Sequence, residues 1–460
     1  MLHPTGSILP LVFLACEPHG AQTGDSSSRA MDAGDTADAL DSGDTGDSGD
    51  ADDTGGAPEI PSDWSRDIVA TDFHFDIGTL EATATIDVLA ANSEIISLEI
   101  GDLAIHSVTD GVDDLDWSMH GSTMNVRALH ANEPVTLVVA YTVAPHDNFD
   151  GWIPGSGVSF LWPYFCGNLF PCHSDPSDGL AYSMNITGVP DGQTVVYPSE
   201  ITADAPSYMP AFAVAAYEMI PLGTTTAGTE VDVWTTADVR DDSLAGTLYL
   251  KDAFDFYEQT YGPYTFGTQV GSVSVDWGGG DFGGMEHHPY WHVSSGSMYD
   301  SDTHTHEAAH GWFGDGVRIA CWEDFVLSEG TTTYLSVHAS EVLGYDLWTI
   351  YEHYLTRMCD VGDPVVVLPD ETCNEIDLLT DPLWSFSPYL KGAFFYRDVA
   401  ELIGTEELDR ALSTFYRDHV GEAARMQEML DHLAAWAPEQ ADEIDALAQA
   451  WLRTDVCPER

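Results

Sequence analysis

Two short stretches decide how this chain reads: Thr303-His-Thr-His-Glu-Ala-Ala-His-Gly-Trp-Phe-Gly-Asp315 and, shortly after it, Trp322-Glu-Asp-Phe-Val-Leu-Ser-Glu-Gly330. The first contains His306-Glu307-Ala308-Ala309-His310. Positions i and i+4 of a helix share one face, so two imidazoles at this spacing can reach one ion. Glu307 is offset by one residue, close to that face but outside the ligand pair, which suits a general base. Eighteen residues separate His310 from Glu329, which opens a second expected helix and supplies a third, carboxylate ligand. Three protein ligands leave a coordination position free, the pattern of a catalytic rather than a structural zinc site. One zinc ion is therefore expected on His306, His310 and Glu329. His304, two residues from His306, falls on another face and is expected to be exposed or to sit behind the ligands.

Working outward, three further motifs stand in a fixed order. Upstream lies Gly283-Gly284-Met285-Glu286-His287, and downstream Tyr389-Leu390-Lys391-Gly392-Ala393. Much earlier comes Pro171-Cys172-His173-Ser174-Asp175-Pro176. With the two central stretches, these resemble the aminopeptidase N and leukotriene hydrolase family of gluzincins. That family carries H-E-x-x-H-x-W-F-G-N, W-x-D-x-W-L-N-E-G, G-A/G-M-E-N, Y-x-K-G-A and P-C-x-D-x-P. Trp312, Phe313, Gly314, Trp322, Asp324, Leu327, Glu329 and Gly330 match; Asp315, Val326, Ser328, His287 and Ser174 depart.

The resemblance implies a thermolysin-like catalytic domain behind a saddle-shaped β domain, and hydrolysis of peptides from the N-terminus. It implies Glu307 as base and Tyr389 as hydrogen-bond donor to the oxyanion. Glu286, flanked by Gly283, Gly284 and Met285, would bind the substrate and its free α-amino group. A second amine-binding Gln or Glu is expected about nine residues before Pro171, where this chain has Trp162. Two alternatives stay open: cleavage of internal bonds, and a zinc-holding binding protein without activity. Asp324 has two readings as well, a partner orienting a ligand histidine or a helix-start cap.

The rest of the chain is organised around these motifs. Residues 1–15 end in the apolar run Ile8-Leu-Pro-Leu-Val-Phe-Leu-Ala15 before Cys16, too short to span a bilayer. The run resembles a lipoprotein signal, with an ordinary secretory signal as the alternative; both imply export. A lipid on Cys16 would be the contact with a bacterial envelope membrane or cell surface. Residues 16–62 are dominated by Asp, Thr, Ser, Gly and Ala and read as a disordered, self-repelling tether.

Residues 63–221 alternate in short strands, such as Phe73–Ile77, Ala82–Ala90, Ile95–Ile100 and Val135–Val143, and read as an antiparallel β-sandwich or saddle domain. Residues 222–460 read as an α+β catalytic domain with a mostly helical second half, including helices over Asp242–Thr260, Glu406–His419 and Ala441–Leu452.

With 77 acidic against 14 basic residues, the net charge of −63 excludes nucleic acid and anionic lipid headgroups as partners. The same charge suits a solvated acidic surface and attracts cationic peptides. Besides Cys16 there are six cysteines, none in a C-x-x-C pair, which points to disulfides in an oxidising compartment. Short loops favour Cys166–Cys172 and Cys359–Cys373, leaving Cys321–Cys457.

Overall fold

A computed structural model describes residues 59–458 apart from 148–149, 278–282, 363, 370–371 and 379. The expected signal segment, Cys16, the tether up to residue 58 and the middle of the glycine-rich run after Trp277 lie outside the described residues.

The first part is β-rich because its strands alternate. In Glu81–Val88, Ala82, Ala84, Ile86 and Val88 are buried while the intervening residues face outward. This strand pairs with Ile68–Asp76 on one side and Val135–Thr142 on the other, within a six-stranded sheet. The pairing is antiparallel except between Ile68–Asp76 and Leu180–Thr187, which run parallel. A three-stranded sheet centred on Thr123–Arg127 and a four-stranded sheet containing Val158–Phe160 complete this part. Its aromatic core includes Phe73, Phe75, Trp152 and Phe212.

The second part starts from a five-stranded sheet in the order Glu218–Thr224, Glu230–Thr235, Gln269–Val275, Tyr290–Ser294, Gly284–Met285. Its first strand thus runs across the expected domain boundary at 221/222. The helix expected over Asp242–Thr260 is two helices, Arg240–Gly246 and Leu250–Thr260. At the end of the first, Gly246 lies so close to the Met298 carbonyl and the His304 ring that a Cβ would be 2.2 Å from that oxygen. Beyond the sheet the chain is mostly helical, with Thr405–His419 and Ala441–Leu452 among its helices. Among the described residues no helix is long and apolar enough to cross a membrane.

The disulfides correct the pairing expected from loop length. Cys166–Cys172 forms, but the others are Cys321–Cys373 and Cys359–Cys457. A bridge requires its Cα atoms to come within about 7 Å, whatever the length of chain between them. Folding brings Cys321 to 5.0 Å from Cys373, and the end of helix Trp348–Val361 to the last residues of the chain, with Cα atoms 5.9 Å apart.

Candidate metal centre

Three helices build the site. The histidine helix, Ser301–Ala309, begins at Asp300, whose side chain accepts from the Asp302 amide. His310 caps its end. The glutamate helix, Phe325–Val342, is almost wholly buried over its first sixteen residues, as suits a helix through the centre of a domain. The tyrosine helix, Phe386–Ile403, carries Tyr389 in its first turn.

Their side chains converge. His306 Nε2 lies 3.2 Å from His310 Nε2 and 3.2 Å from Glu329 Oε2, and His310 Nε2 lies 3.4 Å from Glu329 Oε2. Two ligands about 2.0–2.1 Å from one tetrahedral zinc ion stand about 3.3–3.4 Å apart, so the triangle has the size of one face of that coordination shell. The donor chemistry fits too. His310 Nδ1 is 3.1 Å from the Phe313 carbonyl, to which it can only donate, so in the neutral ring Nε2 presents a lone pair. Thr332 Oγ1 also donates to that carbonyl, at 2.9 Å.

Glu307 and Glu286 both lie close to His310. One oxygen each of Glu286 and Glu307 falls within 4.8 Å of a His310 ring nitrogen and of each other. Both side chains are buried. Glu307 is pressed by the edge strand Gly284–Met285: a Cβ on Gly284 would lie 2.4 Å from Glu307 Oε1. Burial, with the charges of neighbouring acids, pushes the carboxyls of Glu307, Glu286 and Asp315 above the ordinary range. A divalent cation held by His306, His310 and Glu329 would supply a positive charge beside them that relieves this repulsion. The half-buried Tyr389 ring stacks on His306, with centroids 5.9 Å apart.

Other expectations need correcting. His304 is fully buried; its Nδ1 faces Ser272 Oγ at 2.8 Å and its Nε2 the Met298 carbonyl at 2.9 Å, so it ties the histidine helix to the sheet. Asp324 neither orients a ligand histidine nor caps the glutamate helix through its side chain. It accepts from the Met426 amide at 2.9 Å and pairs with Arg425, anchoring the start of helix Met426–Trp436. The segment around Trp162 supplies aromatic surface: its ring stacks on Tyr164, which meets Trp384.

Sequence reasoning missed two residues. Tyr208, in the first part of the chain, reaches Glu286, and Asp315, read only as a departure from a motif, stands beside it. The substitution at Asp315 was the only signal; nothing local pointed to Tyr208. Next to Glu286 lies a shallow cleft open to solvent, walled largely by Pro163, Pro206, Ile319, Trp322 and Phe325.

Known proteins resemble the chain in the same places. The family model described as the peptidase family M1 domain matches residues 294–451. Human endoplasmic reticulum aminopeptidase 2 is 21% identical over 420 residues, covering 77% of this chain and 42% of that protein. Rat aminopeptidase B is 24% identical over 322 residues, covering 63% of this chain and 48% of that protein. The chain thus spans less than half the length of these curated relatives. An M1 zinc metallopeptidase mutant from Deinococcus radiodurans, solved with a Tyr-Ser-Ala substrate, superposes with a TM-score of 0.73 at 17% identity, over 86% of this chain and 96% of that one. Leukotriene A4 hydrolase from Saccharomyces cerevisiae superposes with a TM-score of 0.71 at 18% identity, over 86% and 69%. These likenesses establish the two-part fold.

Proposed function

We propose that this chain, a peptidase carrying an M1 domain at residues 294–451, is a zinc-dependent aminopeptidase that removes N-terminal residues from peptides. The observation that carries the reading is the His306–His310–Glu329 triangle, with the Glu307 and Glu286 carboxylates beside it. When bound, zinc supplies the Lewis acidity that polarises the scissile carbonyl and makes water a nucleophile near neutral pH.

The chain's own groups do the rest. Glu307 takes the proton of the attacking water and returns it to the leaving amine. Tyr389 donates its hydroxyl to the developing oxyanion, a contact typically worth ~2.7–4 kcal/mol. Glu286 accepts the substrate's terminal ammonium. Gly284 and Met285, preceded by Gly283, form the outer strand of the sheet, where an extended peptide can pair with backbone groups.

Export, with a lipid on Cys16, belongs to the same proposal. Three disulfides support an oxidising compartment.

The decisive experiment replaces Glu307 with Gln. Hydrolysis should fall by roughly three orders of magnitude or more, given what a general base and its water contribute together, while one zinc per chain remains by metal analysis. Undiminished turnover would end the proposal. A second reading, cleavage of internal bonds, is favoured by one observation, the aromatic Trp162 where an amine-binding side chain was expected. Comparing free and N-blocked peptides, with and without chelator, separates the two.

A further inference from the structure

The acid proposed to bind the substrate amine is held by a hydroxyl from the other part of the molecule. Tyr208 lies in the segment after strand Glu200–Ala205, and its hydroxyl stands 2.9 Å from Glu286 Oε1 and 3.0 Å from Asp315 Oδ1. All three residues are buried: Tyr208 is 8% exposed, Glu286 7% and Asp315 0%. The other oxygen of Asp315 has no hydrogen-bond partner among the described residues. Asp315 is itself fixed, its amide donating to the His310 carbonyl at 3.1 Å, directly after Gly314 in a left-handed conformation at φ +109°.

A tyrosine hydroxyl has one proton and so donates to one carboxylate at a time. Glu286 Oε1 and Asp315 Oδ1 are both placed to accept that proton, so the hydroxyl links the two carboxylates. That chain runs from the turn after His310, through Tyr208, to Glu286, and fixes the last carboxylate relative to the ligand. The Tyr208 contact engages only Oε1 of Glu286, at a place where the chain has no second amide or acid at residue 162.

We infer that Tyr208, anchored by Asp315, is a positioning residue for Glu286 and thereby sets the preference for substrates with a free N-terminal amine. The inference rests on the aminopeptidase reading above and adds the residues that enforce it. An amide at 315 keeps an oxygen that can accept from the Tyr208 hydroxyl, so Asp315→Asn is the conservative exchange, whereas Asp315→Ala and Tyr208→Phe each break the chain.

The test uses the zinc-loaded full chain and two probes measured by calorimetry: leucine hydroxamate, and 4-methylpentanohydroxamate, which lacks the α-amino group. Their Kd ratio reports amine recognition independently of turnover. The wild type should prefer the amino compound. Tyr208→Phe and Asp315→Ala should each reduce that preference about tenfold, the scale of one hydrogen bond to a charged group. Zinc content, melting temperature and affinity for the compound without the amine should stay near wild type, and Asp315→Asn should keep the preference. A ratio unchanged in both disrupting variants overturns the inference, as does equal weakening of both probes, the mark of a merely structural role. If the wild type itself shows no preference, and Glu286→Ala changes nothing, the aminopeptidase reading fails and takes the inference with it.

Discussion

Gly330 and Gly392 touch backbone to backbone: a Cβ on Gly392 would lie 2.5 Å from the Gly330 Cα, and one on Gly330 2.8 Å from the Gly392 Cα. Each follows a residue of the proposed site, Gly330 directly after Glu329 and Gly392 three residues after Tyr389. The contact lets the glutamate and tyrosine helices approach more closely than side chains would allow, so that Tyr389 reaches the His306 ring. Glycine costs a helix about 1 kcal/mol relative to alanine, a cost offset here by the close approach.

Gly392→Ala should therefore wedge the helices apart. Overpacking of this kind costs about 1–3 kcal/mol, and the displaced Tyr389 should lower kcat more than it changes KM. Stopped assays and thermal melts on Gly392→Ala and Tyr389→Phe separate the effects, since Tyr389→Phe should lose kcat without losing stability. Full kcat in Gly392→Ala would show that the crossing does not position the tyrosine.

Gly314 packs against His310, one of the proposed ligands. A Cβ there would meet His310 Nδ1 at 2.5 Å and Ser328 Oγ at 2.7 Å, on a backbone already left-handed. Gly314→Ala should turn the His310 ring away from its contact with the Phe313 carbonyl and weaken zinc binding by roughly 10–100-fold, the usual scale for losing an outer hydrogen bond to a ligand histidine. Competition with a metal-binding dye gives the affinity directly. An unaltered dissociation constant would contradict this.

The first residue of the substrate should be apolar. The cleft beside Glu286 is walled mainly by proline, isoleucine and aromatic side chains, and its charged lining residues, Glu286 and Asp175, are both acidic. Peptides beginning with Leu or Met should exceed those beginning with Asp or Glu by at least about tenfold in kcat/KM, or ~1.4 kcal/mol in the transition state. Equal rates across the series would rule the cleft out as the side-chain site.

Lys391 offers a pH signature away from the metal. Its fully buried ammonium donates to the Val365 carbonyl at 2.8 Å and to the Thr454 carbonyl, and burial pulls its pKa from 10.5 to about 8. The unfolded chain therefore holds this proton up to a higher pH than the folded one, and stability rises with pH wherever that is so. The wild type should gain stability relative to Lys391→Met as pH rises from about 8 to about 10.5, measured by denaturant titrations of both proteins. A wild type that loses stability relative to Lys391→Met across that interval would mean the ammonium is not penalised by burial.

By itself the sequence determined the local chemistry. The i, i+4 spacing of His306 and His310 puts two imidazoles on one helix face, and strand alternation in stretches such as Glu81–Val88 announces a half-buried sheet, because both patterns depend only on backbone periodicity. The tertiary structure decided what periodicity does not encode. It chose Cys373 for Cys321 and Cys457 for Cys359, buried His304, and gave Asp324 to the start of another helix. It also delivered Tyr208 to Glu286 across 78 residues of chain. Such pairings are set by which surfaces bury together and by the close approach that glycines such as Gly330 and Gly392 permit, and distance along the chain carries almost no information about either.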